Sequence, residues 1–386
     1  MKYYIVIASN GIGGAETRAL KLTHYLVNES KLDVEIVLNQ KLLEAYQKNR
    51  FCAYILEHNK IKKHVISESG KFDDTFINKA LKDHRLYKTV KYAPKPILKK
   101  LSWYNTLNDL VKSEQDIVHC FHGESARLGT LFFSQNHKNR VIFEITSNRH
   151  VHKWAEQLNR FDFDESLHVN INCVSQTVHN NLKKYLKEDH LKLTNHYSGP
   201  FLYFPRLYDI PEKEDIICFA HRFVSTKNAI LFAESVKEFY SKEENKKWKV
   251  IFRGKGADEE QINNILGKEI AEGLVEVSYT DDLQYDLKKT KVFASIITTG
   301  NFPSNSVFEA MNYENLLLLS DTGITKEKFN FDEVTYCDLT KESVLKAIND
   351  ATQLADSQDY MSARKATKAY YDGIVNRMEY IKDLAI

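Results

Sequence analysis

The chain has 386 residues, of which 43% are hydrophobic and 27% charged, with six prolines, so a disordered or fibrous protein is excluded and two cored domains are expected. Lys and Arg number 54 against 52 Asp and Glu, so no global field draws in nucleic acid, and any anion site must be local. The five cysteines (Cys52, Cys120, Cys173, Cys218, Cys337) form no CxxC pair and read as reduced core thiols of a cytoplasmic protein.

The chain opens on an apolar run of about six residues before its first glycines, shorter than a signal-peptide core or a membrane span, and no later run reaches roughly 18 apolar residues. Short apolar runs then alternate with polar turns and amphipathic stretches, the pattern of α/β folds with parallel sheets and crossover helices. In chain order the expected strands are 3–8, 33–38, 116–121, 141–145 and 170–174, then 216–220, 249–253, 275–278, 291–296 and 316–320. They divide into two sheets of similar size. Pro200, Pro205 and Pro211 cluster where both periodicities lapse, so an inter-domain linker is expected at 200–212, and the stretch 340–386 reads as helical.

Four segments carry the candidate chemistry. Asn10-Gly11-Ile12-Gly13-Gly14-Ala15-Glu16 lies between the first strand and a helix whose Ala15, Ala19, Leu22 and Leu26 share one face. Such glycines admit a ligand to the backbone, and the helix start favours an anion or a polar sugar, although a tight strand-to-helix turn uses the same residues. Glu16 occupies the place of the third glycine of a dinucleotide fingerprint, which argues against a dehydrogenase. Asp116 to Gly123 is a strand running into a loop, with His119 and Phe121 on one face and His122 at the exit.

In the second half, Phe219 to Asn228 places Arg222 and Lys227 at a strand end, where two cations can converge on a diphosphate leaving group. Further on, Thr298 to Met311 reads as a polar loop followed by a helix. Pro303 and Ser304 signal the helix start, the amides of Ser304, Asn305 and Ser306 suit phosphate oxygens, and Glu309, farther along the helix, suits ribose hydroxyls.

In this order the segments resemble the large retaining glycosyltransferase family that includes sucrose synthase and many bacterial polysaccharide and lipopolysaccharide transferases, with the GT-B fold. Gly13-Gly14-Ala15-Glu16 is similar to the family's Gly-Gly-Ala-Glu turn, Asp116 to His122 to its Asp-x-Val-His-x-x-His strand, and Cys173-Val174-Ser175-Gln176 to its Val-Ser-Glu strand end. Arg222 and Lys227 resemble its Gly-Arg-Leu-x-x-x-Lys-Gly segment, Arg253-Gly254-Lys255-Gly256 its Gly-x-Gly, and Asn301 through Glu309 its Glu-x7-Glu signature, with Ser320-Asp321-Thr322-Gly323 on the following strand.

The resemblance implies two Rossmann-like domains facing across a cleft: an acceptor-binding domain at 1–199, a donor-binding domain at 213–365, and a helix at 366–386 returning to the first domain. It implies a nucleotide-diphosphate sugar as donor, expected to be a UDP-sugar, no other cofactor and no metal. The catalytic residues are then Arg222, Lys227 and His122. Donor binding falls to Gly13, Gly14, Arg253, Gly254, Asn301, Ser304, Asn305, Ser306 and Glu309, and acceptor binding to Glu16, His119 and Arg149. The acceptor is expected to be a glycan, a lipid-linked sugar or a wall polymer. The basic, apolar-interleaved run 81–100 can touch an anionic membrane on the cytoplasmic side or simply be a solvated face. Asn301 stands where the signature has Glu, which opens an alternative: a non-catalytic GT-B subunit that stabilises a partner transferase.

Overall fold

The computed structural model describes residues 1–28, 30–58, 61–66, 95–146, 151–159, 168–174, 176–187, 192–194 and 202–375. The chain divides into two compact units, Met1–Phe201 and Leu202–Ile386.

The first unit is a parallel sheet of seven strands: β1 (Lys2–Ile7), β2 (Asp33–Asn39), β3 (Lys62–Ile66), β4 (Ile117–His122), β5 (Arg140–Ile145), β6 (Val169–Cys173) and β7 (Lys192–Thr194), in the order β3-β2-β1-β4-β5-β6-β7. Helices Gly14–Asn28, Gln40–Lys48, Arg50–His58, Lys95–Leu110, Glu124–Asn136, Val151–Leu158 and Gln176–Lys183 lie between them in sequence. The central strands are almost wholly buried, as parallel strands covered on both faces must be, and Val6, Val118, Val141 and Phe143 share a core with Leu107, Leu131 and Phe133 of the helices.

The second unit repeats the plan with β8 (Glu214–Ala220), β9 (Lys249–Arg253), β10 (Val275–Ser278), β11 (Thr290–Ser295), β12 (Leu316–Ser320) and β13 (Thr335–Cys337), ordered β10-β9-β8-β11-β12-β13 and parallel throughout. Its longer helices are Ala229–Phe239, Asn305–Asn312, Lys341–Asp356 and Tyr360–Val375, with shorter ones at Glu259–Ile265, Gly267–Ala271, Leu283–Leu287 and Thr325–Lys328. Ile217, Phe219, Val250, Phe252 and Leu318 pack with Phe232, Val236 and Ile348 into its core.

Ten of these strands follow the apolar runs in the sequence. The three others, β3, β7 and β13, are edge strands, short or largely polar, and so leave no apolar signature. The terminal stretch is helical through Val375, and helix Tyr360–Val375 packs within the second unit against helix Asn305–Asn312; 376–386, the rest of the expected returning helix, lies outside the described residues. All five cysteines are free and buried, and burial pushes the thiols of Cys52, Cys120, Cys173 and Cys337 up to about 12. Among the described residues no helix is long and apolar enough to cross a membrane. The basic run falls outside what is described, since 81–94 and the side chains of 95–100 are not among those residues.

Candidate functional site

In each sheet the strand order reverses direction once, and at such a point the loops leaving two neighbouring strands diverge and open a crevice beyond their carboxyl ends. In the second unit this point lies between β8 and β11, which are paired in register Cys218↔Phe293 and Phe219↔Ala294. The loop after β8 carries Arg222 and Lys227, and the loop after β11 leads into helix Asn305–Asn312.

The two loops are tied together. Asn228 sits in the left-handed region at φ 49°, a conformation Asn tolerates, and its Nδ2 donates to Ile296 O at 3.2 Å and Thr298 Oγ1 at 3.1 Å. Thr298 N–H donates to Thr226 O at 3.1 Å. Arg222 is exposed and Lys227 half-buried, and among the described residues neither forms an ion pair with a carboxylate. Partial burial, and then the nearby Arg222 guanidinium, hold the Lys227 ammonium below its usual range. Two cations close enough to repel, with no carboxylate paired to either among the described residues, form a site that an anion would stabilise.

Across the crevice, Ser304 caps helix Asn305–Asn312 with extended backbone but makes no side-chain capping bond; its Oγ lies 3.2 Å from Ser306 Oγ instead. The Ser304 N–H, expected to face phosphate, donates instead to Asn301 O at 2.8 Å, so that amide is taken by the turn; the positive end of the helix beyond it still suits an anion. Glu309 is half-buried farther along the same helix.

Three expected donor contacts take other positions. Asn301 is 0% exposed. Its Oδ1 accepts from Ser295 Oγ at 2.5 Å, its Nδ2 donates to Ser320 Oγ at 3.1 Å, and its N–H donates to Thr325 Oγ1 at 2.9 Å. This side chain holds the loop to the sheet and is turned away from solvent. Arg253 is engaged in a bidentate pair with Asp286 at 2.7 and 3.0 Å, and bonds Ser278 at 2.6 Å and Glu276 at 2.7 Å, so it braces β9 and has no guanidinium edge left for a donor. A Cβ on Gly254 would stand 1.9 Å from His221 O, so this glycine exists to let the ends of β8 and β9 touch, where His221 N–H donates to Arg253 O at 3.1 Å. His221, in the place of the family's glycine, points inward: its Nε2 lies 2.7 Å from Ser295 Oγ, and burial, then the Lys227 charge, pull its imidazole down to about 3. Ser295 spends its one proton on Asn301, so the neutral His221 donates from Nε2.

In the first unit the reversal lies between β1 and β4. Ala8 N–H donates to His122 O at 2.9 Å, and a Cβ on Gly123, which has φ 93°, would stand 2.4 Å from Ala8 O. The glycine loop and the exposed His122 thus leave the sheet side by side. Gly14 opens the helix with nothing within 4 Å of where its Cβ would be, whereas Gly13 N–H donates to Glu16 Oε2 at 2.9 Å. Glu16 is only 5% exposed and its carboxylate closes the turn, a structural position and not the expected acceptor contact.

His119 is likewise corrected. It is 0% exposed, stacked on Phe121, with Nδ1 2.7 Å from Tyr3 Oη and Nε2 3.4 Å from the buried Glu144, to which Arg18 comes within 3.5 Å. Burial lowers the His119 pKa, and the Glu144 carboxyl stays below its usual range because Arg18, His119 and Asn172 outweigh its own burial. This chain of polar groups stitches the sheet internally. Arg149 lies outside the described residues. Gly123 and Asn228, which set the two strand exits, escaped the sequence reading as functional positions; a glycine directly after a strand-end histidine and an asparagine directly after Lys227 are the signals that mark them. Among the described residues no group of three or more His, Cys, Asp or Glu side chains could hold a metal ion.

Residues 205–368 match the family model described as glycosyl transferases group 1. No curated protein sequence matches the chain. Among solved structures, the chain is similar over its whole length to a glycosyltransferase from Rickettsia africae (TM-score 0.63, 13% identity, 97% of that chain covered) and to HepE from Anabaena in complex with UDP and glucose (TM-score 0.63, 13% identity, 98% covered). It is also similar to the pneumococcal O-GlcNAc transferase GtfA in complex with UDP and GlcNAc (TM-score 0.65, 10% identity, 100% of this chain and 98% of that chain covered). The fold is GT-B.

Proposed function

We propose that the protein is a retaining, metal-independent glycosyltransferase that moves a sugar from a nucleotide-diphosphate donor to a hydroxyl acceptor. The observation that carries this reading is the pair of cations Arg222 and Lys227, without carboxylate partners among the described residues, at the strand-order reversal of the unit that matches the glycosyl transferases group 1 model. That HepE and GtfA are each described in complex with UDP supports a UDP-sugar as the donor.

In this reading the second unit, with its core at 213–365, binds the donor. Arg222 and Lys227 neutralise the diphosphate as the glycosidic bond to it breaks, and the positive start of helix Asn305–Asn312, with the Ser306 amide, faces its oxygens. Glu309 takes the ribose hydroxyls. The first unit, over 1–199, presents the acceptor hydroxyl, which attacks the face of the anomeric carbon that the diphosphate leaves, with His122 and the Gly13-Gly14 turn beside the transferring sugar. The acceptor is a glycan, a lipid-linked sugar or a wall polymer of a bacterial surface, made on the cytoplasmic side of the membrane. A panel of nucleotide sugars, assayed for release of nucleoside diphosphate in the presence of such acceptors, tests the reading: one donor should be turned over, and release from none of them would refute it.

A further inference from the structure

Arg127 belongs to the first turn of helix Glu124–Asn136, which starts directly after β4, at the same edge of the first sheet as His122. Its guanidinium carbon lies 4.2 Å from the centre of the Trp154 ring, and Trp154 is itself 8% exposed and packed edge-on to Phe143. The Arg127 Nε is buried without a hydrogen-bond partner, and among the described residues the guanidinium forms no ion pair, not even with Glu124 one turn earlier. The side chain is half-buried.

This placement is unfavourable on two counts and only partly compensated. A desolvated cation normally requires a carboxylate or a set of acceptors. A positive charge in the first helical turn meets the positive end of the helix dipole. A flat contact with Trp154 returns only part of the loss, since an indole face attracts a cation less strongly than a carboxylate does. Burial accordingly depresses the Arg127 pKa, with Cys120 and Glu124 opposing it only weakly. What remains is a planar fork of donors held rigid on an aromatic ledge, a geometry that matches two oxygens of one oxyanion.

We propose that Arg127 is the anion-holding residue of the first unit, binding a carboxylate or phosphate group carried by the acceptor. The identification of that anion with the acceptor rests on the first unit being the acceptor-binding one; the binding itself does not. The acceptor class narrows accordingly to hydroxyl compounds bearing an acidic group: a uronic acid, a sugar phosphate, a polyol-phosphate polymer or a phosphate-linked lipid carrier.

The test uses the full chain with Arg222→Ala and Lys227→Ala in place, so that the second unit's cations do not report. Inorganic phosphate and acetate are titrated separately at constant ionic strength, with melting temperature as the readout, because a ligand of the folded state raises it. Saturable stabilisation is expected, with an apparent Kd at least about tenfold weaker after Arg127→Met. Arg127→Lys, which keeps the charge but loses the fork, should lie between the two. A stronger response to phosphate assigns a phosphorylated acceptor, and a stronger response to acetate a carboxylated one. Without added anion, Arg127→Met should melt within a few degrees of its parent. An equal anion response whatever residue stands at 127, no response to either anion, or an Arg127→Met protein that does not fold while Arg127→Lys responds like the parent would overturn the proposal. Binding of nucleoside diphosphate to the unmodified chain is measured alongside, so that a failed donor site and a failed anion site are told apart.

Discussion

Ser295 Oγ donates to Asn301 Oδ1 at 2.5 Å inside the second unit, and the same Ser295 lies 2.7 Å from His221 Nε2. The first position of the Glu-x7-Glu-like segment is therefore part of a buried polar relay that joins the ends of β8, β11 and β12. Removing its amide strands Ser295 and loosens the loop before helix Asn305–Asn312. Asn301→Ala should lower unfolding free energy by about 1–3 kcal/mol in denaturant titration, the range for a buried polar partner lost. An unchanged midpoint together with a raised donor KM would place Asn301 on the donor instead.

Arg222 and Lys227 stand in the opposite situation, since neither is held by a carboxylate among the described residues. Their replacement removes charge that the fold does not use. Arg222→Ala and Lys227→Ala should each reduce kcat by roughly a hundredfold or more, the scale for losing one preorganised charge-stabilising group, with stability changed by less than about 1 kcal/mol. Steady-state kinetics beside thermal melts separate the two quantities, and a variant that keeps full kcat sinks the assignment for its residue.

Gly254 has no such latitude. Its added Cβ would lie 1.9 Å from a backbone oxygen of His221, which cannot swing aside as a side-chain tip would. Gly254→Ala should cost about 1–3 kcal/mol by overpacking, measured by the same denaturant titration, whereas Gly14→Ala, with open space at its Cβ, should be close to neutral in stability.

The His221 imidazole gives stability a defined acid dependence. Its pKa falls from 6.5 to about 3 on folding, first through burial and then through Lys227. The unfolded chain therefore binds a proton that the folded chain refuses, and the contribution is full above pH 6.5 and lost as pH falls through about 3. Glu276 acts in the same direction at lower pH. Its carboxyl drops from 4.5 to about 2 on pairing with Lys249 and Arg253, so its contribution is present above 4.5 and lost as pH falls through about 2, much reduced by its solvent exposure. Unfolding midpoints measured from pH 7 to pH 4 should decline in the native protein and decline less in His221→Gln; parallel curves would show that His221 is not buried neutral.

Much of this architecture is written in apolar runs. The central strands are buried on both faces, so each announces itself by composition, and the loops that follow them could be named before any coordinates. The edge strands β3 and β13 could not, because a strand buried on one side carries polar residues such as Lys62, Lys63 and Thr335. The strand-end motifs lie at the two reversal points, but their composition does not tell which way a side chain turns. His119, Asn301 and Arg253 are polar residues whose partners (Tyr3, Ser295 and Asp286) come from other elements, whereas Glu16 closes its own turn on Gly13. Only tertiary pairing reveals that His119, Asn301 and Arg253 are consumed, and only it reveals that Arg222, Lys227 and Arg127 have no carboxylate partner among the described residues.

The most direct measurement is equilibrium binding of a panel of nucleoside diphosphates and their sugar conjugates, read as melting temperature, in the native chain and in the Arg222→Ala, Lys227→Ala double variant. The account predicts that one nucleoside diphosphate family stabilises the native chain selectively, and that the shift all but disappears in the variant. No shift with any nucleotide at millimolar concentration, or an equal shift in both proteins, would contradict it.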